Sequence, residues 1–116
     1  MSFRFESICI EIHAPHSDVD ESLLISVKEK VLSFSHLLKD IVKAHIFWRE
    51  DAPQNRENKV CEIKLVLYGD VLFVHRRTDS FESAAWQALA DLEKQVTEQV
   101  KQQHDLPDDI NSSVRV

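Results

Sequence analysis

The chain has 116 residues, which is enough for one hydrophobic core and too few for two independent domains. Its 43% hydrophobic and 29% charged residues are ordinary globular usage, which excludes a disordered chain, and no apolar run approaches the length of a membrane span. The net charge of −6 excludes a uniformly basic nucleic-acid-binding surface, so any such site must be local.

The N-terminal part of the chain predicts a strand followed by a helix. Residues 3–12 alternate, with three isoleucines on the inner side. Pro15 breaks this run, and Ser17 or Asp18 is predicted to cap the first helix. The apolar stripe of that helix consists of Leu23, Leu24, Val27, Val31, Phe34 and Leu38.

The middle of the chain predicts three further strands. Residues 41–50 return to alternation, and residues 51–58 contain turn residues without periodicity, which is typical of an exposed loop. Residues 59–68 and 71–77 then predict a hairpin, because the only glycine of the chain lies in the two-residue turn Gly69-Asp70 between them.

The last predicted element is a long helix. It follows a corner in which Asp79 precedes Glu82 by three residues, the spacing of a capping box. The helix is predicted to end at Gln103, and residues 104–116 are predicted to form a flexible tail, because their composition cannot bury enough surface to order itself. Its apolar stripe contains Ala84, Ala85, Ala88, Leu89, Leu92, Val96 and Val100.

This element order predicts an α+β fold, β-α-β-β-β-α, within a single domain of residues 1–103. Two amphipathic helices need apolar cover, so both are expected on one face of a four-stranded mixed sheet. The helical crossover allows the first two strands to be parallel, and the short later loops imply antiparallel neighbours. Cys9 and Cys61 point to opposite faces of their strands, which favours packing roles over a disulfide, and the absence of a secretion signal favours the cytoplasm.

Alternation also places a group of cations on the uncovered face of the predicted sheet. They are Lys43, His45 and Arg49 from one strand, Lys64 from its neighbour, and either Arg76 or Arg77 from the last. Glu11 and Glu62 oppose them, and Phe47, Val66 and Tyr68 lie among them, a mixture that suits phosphate contact combined with base or sugar packing. The alternative is an ordinary solvated sheet face with extended lysines.

The sequence predicts no catalytic, metal or cofactor site. His13 and His16 flank a proline without a third ligand, so we interpret them as exposed polar residues rather than metal ligands. A single glycine excludes a glycine-rich phosphate loop.

Four stretches resemble the ribosome hibernation-promoting factor family, also called ribosome-associated inhibitors or sigma-54 modulation proteins. They are residues 27–34, 60–70, 79–85 and 91–96. The resemblance covers residues 3–103 and implies a fold like that of double-stranded-RNA-binding domains. It also implies docking on small-subunit rRNA near the decoding site, inhibition of translation in stationary phase or stress, and no enzymatic activity. Because the chain ends at Val116, it resembles the short type of the family.

The resemblance adds candidate residues on both helices. Lys94 matches a basic position of the family on the last helix, and Lys28 and Lys30 lie where the first helix is commonly basic. The complete set of predicted RNA-binding residues is Lys28, Lys30, Lys43, His45, Arg49, Lys64, Arg76, Arg77, Lys94 and Lys101.

The resemblance is to a divergent, acidic member. Relatives carry several lysines or arginines along the last helix, where this chain has Glu82, Asp91, Glu93 and Glu98. The expected partner is the small ribosomal subunit, with neither DNA nor a membrane as a ligand. The alternative is a protein-interaction or self-associating module that has lost RNA binding, and an exposed strand edge leaves a weak homodimer open.

Overall fold

Two helices and five strands form the part of the chain described by the computed structural model, residues 2–4, 8–14, 19–51 and 56–111. Residues 2–4 and 104–111 are described by their backbone alone. The elements are β1 (Ser2–Arg4), β2 (Cys9–His13), α1 (Glu21–Leu37), β3 (Ile41–Glu50), β4 (Lys59–Leu67), β5 (Asp70–Thr78) and α2 (Phe81–Asn111). The predicted α+β class and the β-α-β-β-β-α series from β2 to α2 are confirmed.

The strands form one mixed sheet in the order β1-β2-β3-β4-β5. β2 and β3 are parallel, as the helical crossover predicts, and β3, β4 and β5 are antiparallel. The prediction of a single strand over residues 3–12 is wrong: β1 turns back on β2, with Phe3 opposite Ile10. Alternation continues on both sides of this reversal, so periodicity alone cannot reveal it. The short β1 therefore adds an edge strand to the four predicted strands.

The hydrophobic core lies between one face of the sheet and the two helices. Ile46 and Ile63 of the central strands are fully buried, as are Val27 of α1 and Leu92 of α2. Both predicted apolar stripes are in this core, with Leu24 and Val100 only partly buried at its margin. Both helices therefore cover the same face of the sheet, and neither helix covers the other face.

The hairpin between β4 and β5 turns one residue earlier than predicted. Leu67 pairs with Asp70, so the two turn residues are Tyr68 and Gly69 rather than Gly69 and Asp70. Gly69 has φ +81°, a left-handed conformation that L-amino acids rarely adopt. Asp70 instead accepts a 2.7 Å hydrogen bond from the backbone N–H of Val71 through Oδ1.

Helix α1 begins later than predicted. Its N-cap residue is Asp20, in an extended conformation with φ −62° and ψ 141°, and no side-chain hydrogen bond from Asp20 caps the helix. The predicted caps Ser17 and Asp18 are too far upstream of Glu21 for this role and lie outside the described residues. The acidic Glu21 in the first turn remains favourable to the helix dipole.

Helix α2 is capped by Ser80 rather than by Asp79. The Oγ atom of Ser80 accepts a hydrogen bond from the backbone N–H of Ser83 at 3.1 Å. Thr78 fixes this corner, because its Oγ1 donates to the Ser80 carbonyl oxygen at 2.7 Å and accepts from the Ser80 N–H at 3.2 Å. The second hydrogen bond of a capping box, from the backbone N–H of the N-cap residue to the side chain of Glu82, is therefore not needed to start the helix.

The Ser80→Ala variant should lose about 1 kcal/mol of unfolding free energy, because the N–H of Ser83 loses its acceptor. The matched variant Asp79→Ala should change stability by less than about 0.5 kcal/mol. Urea denaturation of both variants measures the difference. A larger loss at Asp79 would restore the capping box as the correct interpretation.

Helix α2 extends to Asn111, eight residues beyond the predicted end. Residues 104–111 are therefore helical, although they were predicted to lie in a tail, and residues 112–116 lie outside the described part of the chain. The division of the chain at residue 103 stays a prediction. Neither helix has, over the residues described, an apolar stretch that could cross a bilayer.

The two cysteines are thiols in different environments. Cys61 is fully buried on the helix side of the sheet, and burial raises its pKa to about 12, which makes it chemically inert. Cys9 lies on the other side of its strand and is half-buried. This arrangement agrees with the packing role predicted from the alternation.

Candidate nucleic-acid interface

The face of the sheet opposite the helices is the candidate interface, and we call it the open face. Its members follow from the alternation of burial along each strand and from the pairing register. They are Cys9, Glu11 and His13 of β2; Lys43, His45, Phe47 and Arg49 of β3; Val60, Glu62, Lys64 and Val66 of β4; and Val71, Phe73, His75 and Arg77 of β5.

Half of the ten predicted RNA-binding residues lie on this open face. They are Lys43, His45, Arg49, Lys64 and Arg77. The structure thereby decides between the two alternatives left by the sequence, because Arg77 faces the open side and Arg76 faces the helices.

Arg76 connects β5 to α2. Its Nε and Nη2 atoms donate to the two carboxylate oxygens of Asp91 at 2.6 and 3.1 Å, and its Nη1 donates to Gln87 at 3.2 Å. These hydrogen bonds raise the pKa of Arg76 and lower that of Asp91. A bidentate pair of this kind positions the helix and leaves the guanidinium engaged.

The four candidate lysines on the helices lie in the helical layer, on the other side of the sheet. Lys28 and Lys30 belong to α1, and Lys94 and Lys101 are exposed on α2. The Nζ atom of Lys30 is 3.7 Å from a carboxylate oxygen of Glu93. The ten candidates are therefore divided between two sides of the molecule and do not form one continuous surface.

Glu11 partly neutralises one corner of the open face. Its carboxylate oxygens lie 3.6 Å from Nζ of Lys43 and 3.3 Å from Nδ1 of His45, which is its register partner on β3. Burial is the main cause that lowers the pKa of His45, with Lys43 and Lys64 adding to it and Glu11 opposing it. The His45 ring is therefore neutral at physiological pH.

A second ion-pair network occupies the opposite corner. Arg49 donates to Glu62 at 2.5 Å and to Asp51 at 2.9 Å, and these hydrogen bonds raise its pKa. Asp51 also accepts from Arg77 at 2.6 Å, and the hydrogen bond from Arg49 is the first cause that lowers its pKa. Nε2 of His75 lies 3.8 Å from Glu62. Both arginines of the open face are thus already paired.

Lys64 differs from the other cations of the open face. Its side chain is exposed, and within the described part of the chain it forms no ion pair. It lies between His45 and Phe73 in the register of the sheet. Four lysines and arginines therefore face three carboxylates among the described residues of this surface, and Lys64 is the cation that these carboxylates leave without a partner.

Three aromatic rings stand parallel beside these charges. The ring of Phe47 stacks on His13 with centroids 4.8 Å apart and planes 7° apart, and on His45 at 6.0 Å and 9°. Phe47 is 36% exposed, and Phe73, on the far side of Lys64, is 49% exposed. The open face thus offers flat apolar surface together with Lys64, a cation that is unpaired as far as the described residues extend.

The sequence did not reveal Asp51, Phe73 or the stacked rings as parts of this surface. Asp51 follows the end of β3 and appeared only as a loop residue, although it pairs with Arg49 two positions before it. Phe73 could have been found from the sequence, because counting the hairpin register outward from Gly69 places it opposite Lys64. The stacking of His13 on Phe47 requires the parallel register of β2 on β3, which the sequence does not fix.

The helical side carries a cleft of a different character. It has a volume of about 470 Å³ and lies between the first turns of α1 and α2, lined by Asp20, Lys59, Phe81, Glu82 and Trp86 among others. No group of three potential metal ligands occurs among the described residues, and His16, the predicted neighbour of His13, lies outside them. The open face therefore remains the candidate site.

Comparisons with known proteins identify relatives of this fold. The sequence model of the family described as Sigma 54 modulation protein / S30EA ribosomal protein matches residues 10–104. No curated protein matches the chain.

Solved structures that are similar to the chain include the following two. A ribosomal subunit interface protein from Coxiella burnetii has a TM-score of 0.63 and 17% identity, over 78% of this chain and 94% of that one. The N-terminal domain of Protein Y from Thermus thermophilus has a TM-score of 0.62 and 16% identity, over 76% and 93%. At these identities the two structures show a shared fold.

Proposed function

Because the chain belongs to the sigma 54 modulation protein / S30EA ribosomal protein family, we propose that it binds small-subunit rRNA near the decoding site and inhibits translation in stationary phase or stress. The family match over residues 10–104 is the observation that carries this proposal, and it confirms the resemblance found in the sequence. The family comprises ribosome-associated factors rather than enzymes. The proposed site of action is the cytoplasm, where ribosomes are found.

The geometry of the open face supports RNA contact of moderate strength. Lys64 can reach a phosphate without first leaving a carboxylate, whereas Lys43, Arg49 and Arg77 must exchange a carboxylate for a phosphate. Such exchanges on an exposed surface cost little, because exposed ion pairs contribute only about 0 to 1 kcal/mol each. The paired cations therefore serve as secondary contacts around Lys64.

Cosedimentation with purified small subunits at low salt tests the proposal. The protein should pellet with the subunits, and Lys64→Glu should weaken this association roughly tenfold, since a phosphate contact is replaced by repulsion. Raising the salt should release the wild type. Absence of association at low salt, or association unchanged at high salt, would contradict the proposal.

Lys39→Glu is the matched control, because Lys39 is exposed in the turn after α1 and lies outside both groups of candidate residues. It makes the same charge change and should leave cosedimentation unaltered. Reversal of Arg49 is a poorer test: it would bring a third carboxylate beside Glu62 and Asp51 and disturb the local structure.

A protein-interaction module is the second candidate function, and the ion pairs of the open face favour it, because they reduce attraction to phosphate. Tyr68, which was predicted on this face but lies in the hairpin turn, is 75% exposed, and Val71 and Phe73 of the open face are 50% and 49% exposed. These three side chains could pack on a partner. Recovery of one basic protein and no ribosomes in a pull-down would support this function. Pairing through the β5 edge is hindered, since Gln95 of α2 donates to the Phe73 carbonyl oxygen at 3.2 Å.

A further inference from the structure

We propose that the open face takes unpaired RNA, with bases stacked on its rings and the sugar-phosphate backbone crossing Lys64. This inference rests on the proposed function and specifies the kind of RNA and the contacts involved. It follows from three features of the surface: its ion pairs, its exposed rings, and the position of Lys64 between two of those rings.

The ion pairs disfavour double-stranded RNA as the ligand. A duplex presents phosphates and 2′-hydroxyls over a wide surface and hides the flat faces of its bases, so its recognition depends on many polar contacts. Three of the four lysines and arginines on the open face are already paired with Glu11, Asp51 or Glu62. Binding a duplex would therefore require several of these cations to exchange a carboxylate for a phosphate at once, in addition to the contact at Lys64.

The exposed rings favour unpaired bases. Stacking on an aromatic side chain is available to any base that has left a helix, and it requires little net charge. The rings of His13 and His45 both stack with Phe47 in one row, and Phe73 stands separately on β5. Because His45 is neutral, its ring adds flat surface at the end of this row rather than charge.

The register of the sheet provides the spacing between two base-binding positions. Lys64 pairs with His45 on one side and with Phe73 on the other, so the two rings are two strands apart. That separation is roughly 10 Å, given the usual distance between neighbouring strands. Bases of two different nucleotides can pack on the two rings while the phosphate between them meets Lys64.

Binding of short RNAs to the full chain tests this inference. A single-stranded RNA oligonucleotide and a duplex of the same length are titrated at low salt. The single strand should bind at least about tenfold more tightly than the duplex. Phe47→Ala, which removes the ring stacked on His45, and Phe73→Ala should each weaken this binding about tenfold. The slope of log affinity on log salt should stay close to that of one or two phosphate contacts, between about −0.7 and −1.4.

Trp86→Ala is the matched control, because Trp86 is 42% exposed on α2, away from the open face. This variant removes an exposed ring and should leave RNA binding unaltered. Phe73→Tyr keeps a stacking surface and should retain wild-type affinity, which separates loss of stacking from loss of fold. Equal affinity for single strand and duplex, or full binding by both alanine variants, would overturn the inference.

Cosedimentation of the same variants distinguishes this inference from the proposed function. If the wild type and Phe73→Ala associate equally with small subunits, the inference is wrong and the proposed function stands. If the wild type binds single-stranded RNA and no subunits, the inference stands and the proposed function is wrong. If the alanine variants change only the self-association of the chain, the face is an interface between copies, which also overturns the inference.

Discussion

The Ile63→Ala variant is expected to lose about 3 kcal/mol of unfolding free energy, because it removes most of a fully buried side chain and leaves a cavity. Ile63 lies at the centre of β4, with Ile46 and Val74 as its register partners, and its side chain belongs to the core shared with the helices. A loss of this size is a large fraction of the total stability of a domain of this length. Urea denaturation measures it.

Val71→Ala provides the comparison, since Val71 is an aliphatic residue on β5 that is 50% exposed on the open face. Its truncation should change the free energy of unfolding by less than about 0.5 kcal/mol. Similar losses at the two positions would contradict the assignment of one face to the core and the other to solvent. The same pair of variants therefore tests which side of the sheet is available for binding.

Local patterns predicted most of this fold because the helices and strands here follow their simple periods. Residues 41–50 were predicted to alternate, and they form β3 over the same range, with a register shift only between Ile41 and Lys43. The α1 stripe recurs every three to four residues, and its members from Leu23 to Phe34 are buried, apart from the partly buried Leu24. In such segments local preference and tertiary packing agree, so the sequence is sufficient to predict the helix or strand.

Element ends were predicted less well, because neighbouring residues compete for the same role. Asp79 and Ser80 can both cap a helix, and the contact of Thr78 with Ser80 decides between them. The break between β1 and β2 has a similar cause: both halves of residues 3–12 suit a strand, and their pairing depends on tertiary structure.

The sequence predicted which residues share the open face, but not which of its cations pair with carboxylates. Alternation correctly placed Lys43, Arg49 and Lys64 on one face. Whether each cation meets a carboxylate depends on the side chains of neighbouring strands and of the loop after β3, which brings Asp51 to both Arg49 and Arg77. The ordinary solvated sheet face and the RNA-binding face therefore share the same sequence pattern and differ in these contacts.

Removal of the carboxylates of the open face is expected to strengthen binding to the small subunit. The double variant Glu11→Gln with Glu62→Gln should bind small subunits roughly tenfold more tightly than the wild type, because Lys43 loses the carboxylate of Glu11 and Arg49 keeps only Asp51 as a competitor of phosphate. The slope of log affinity on log salt should become steeper by about 1.4, that is, by two single-strand contacts. Cosedimentation over a salt series measures both quantities.

Glu29→Gln with Glu98→Gln is the matched control, because both residues are exposed on the helices and the change in net charge is the same. The helical layer separates these residues from the open face, and a Debye length of about 10 Å at 0.1 M salt screens their effect there. Equal gains in the two double variants would mean that net charge governs association with the ribosome. A gain confined to Glu11 and Glu62 would mean that contacts on the open face govern it, since these two carboxylates pair with cations of that face.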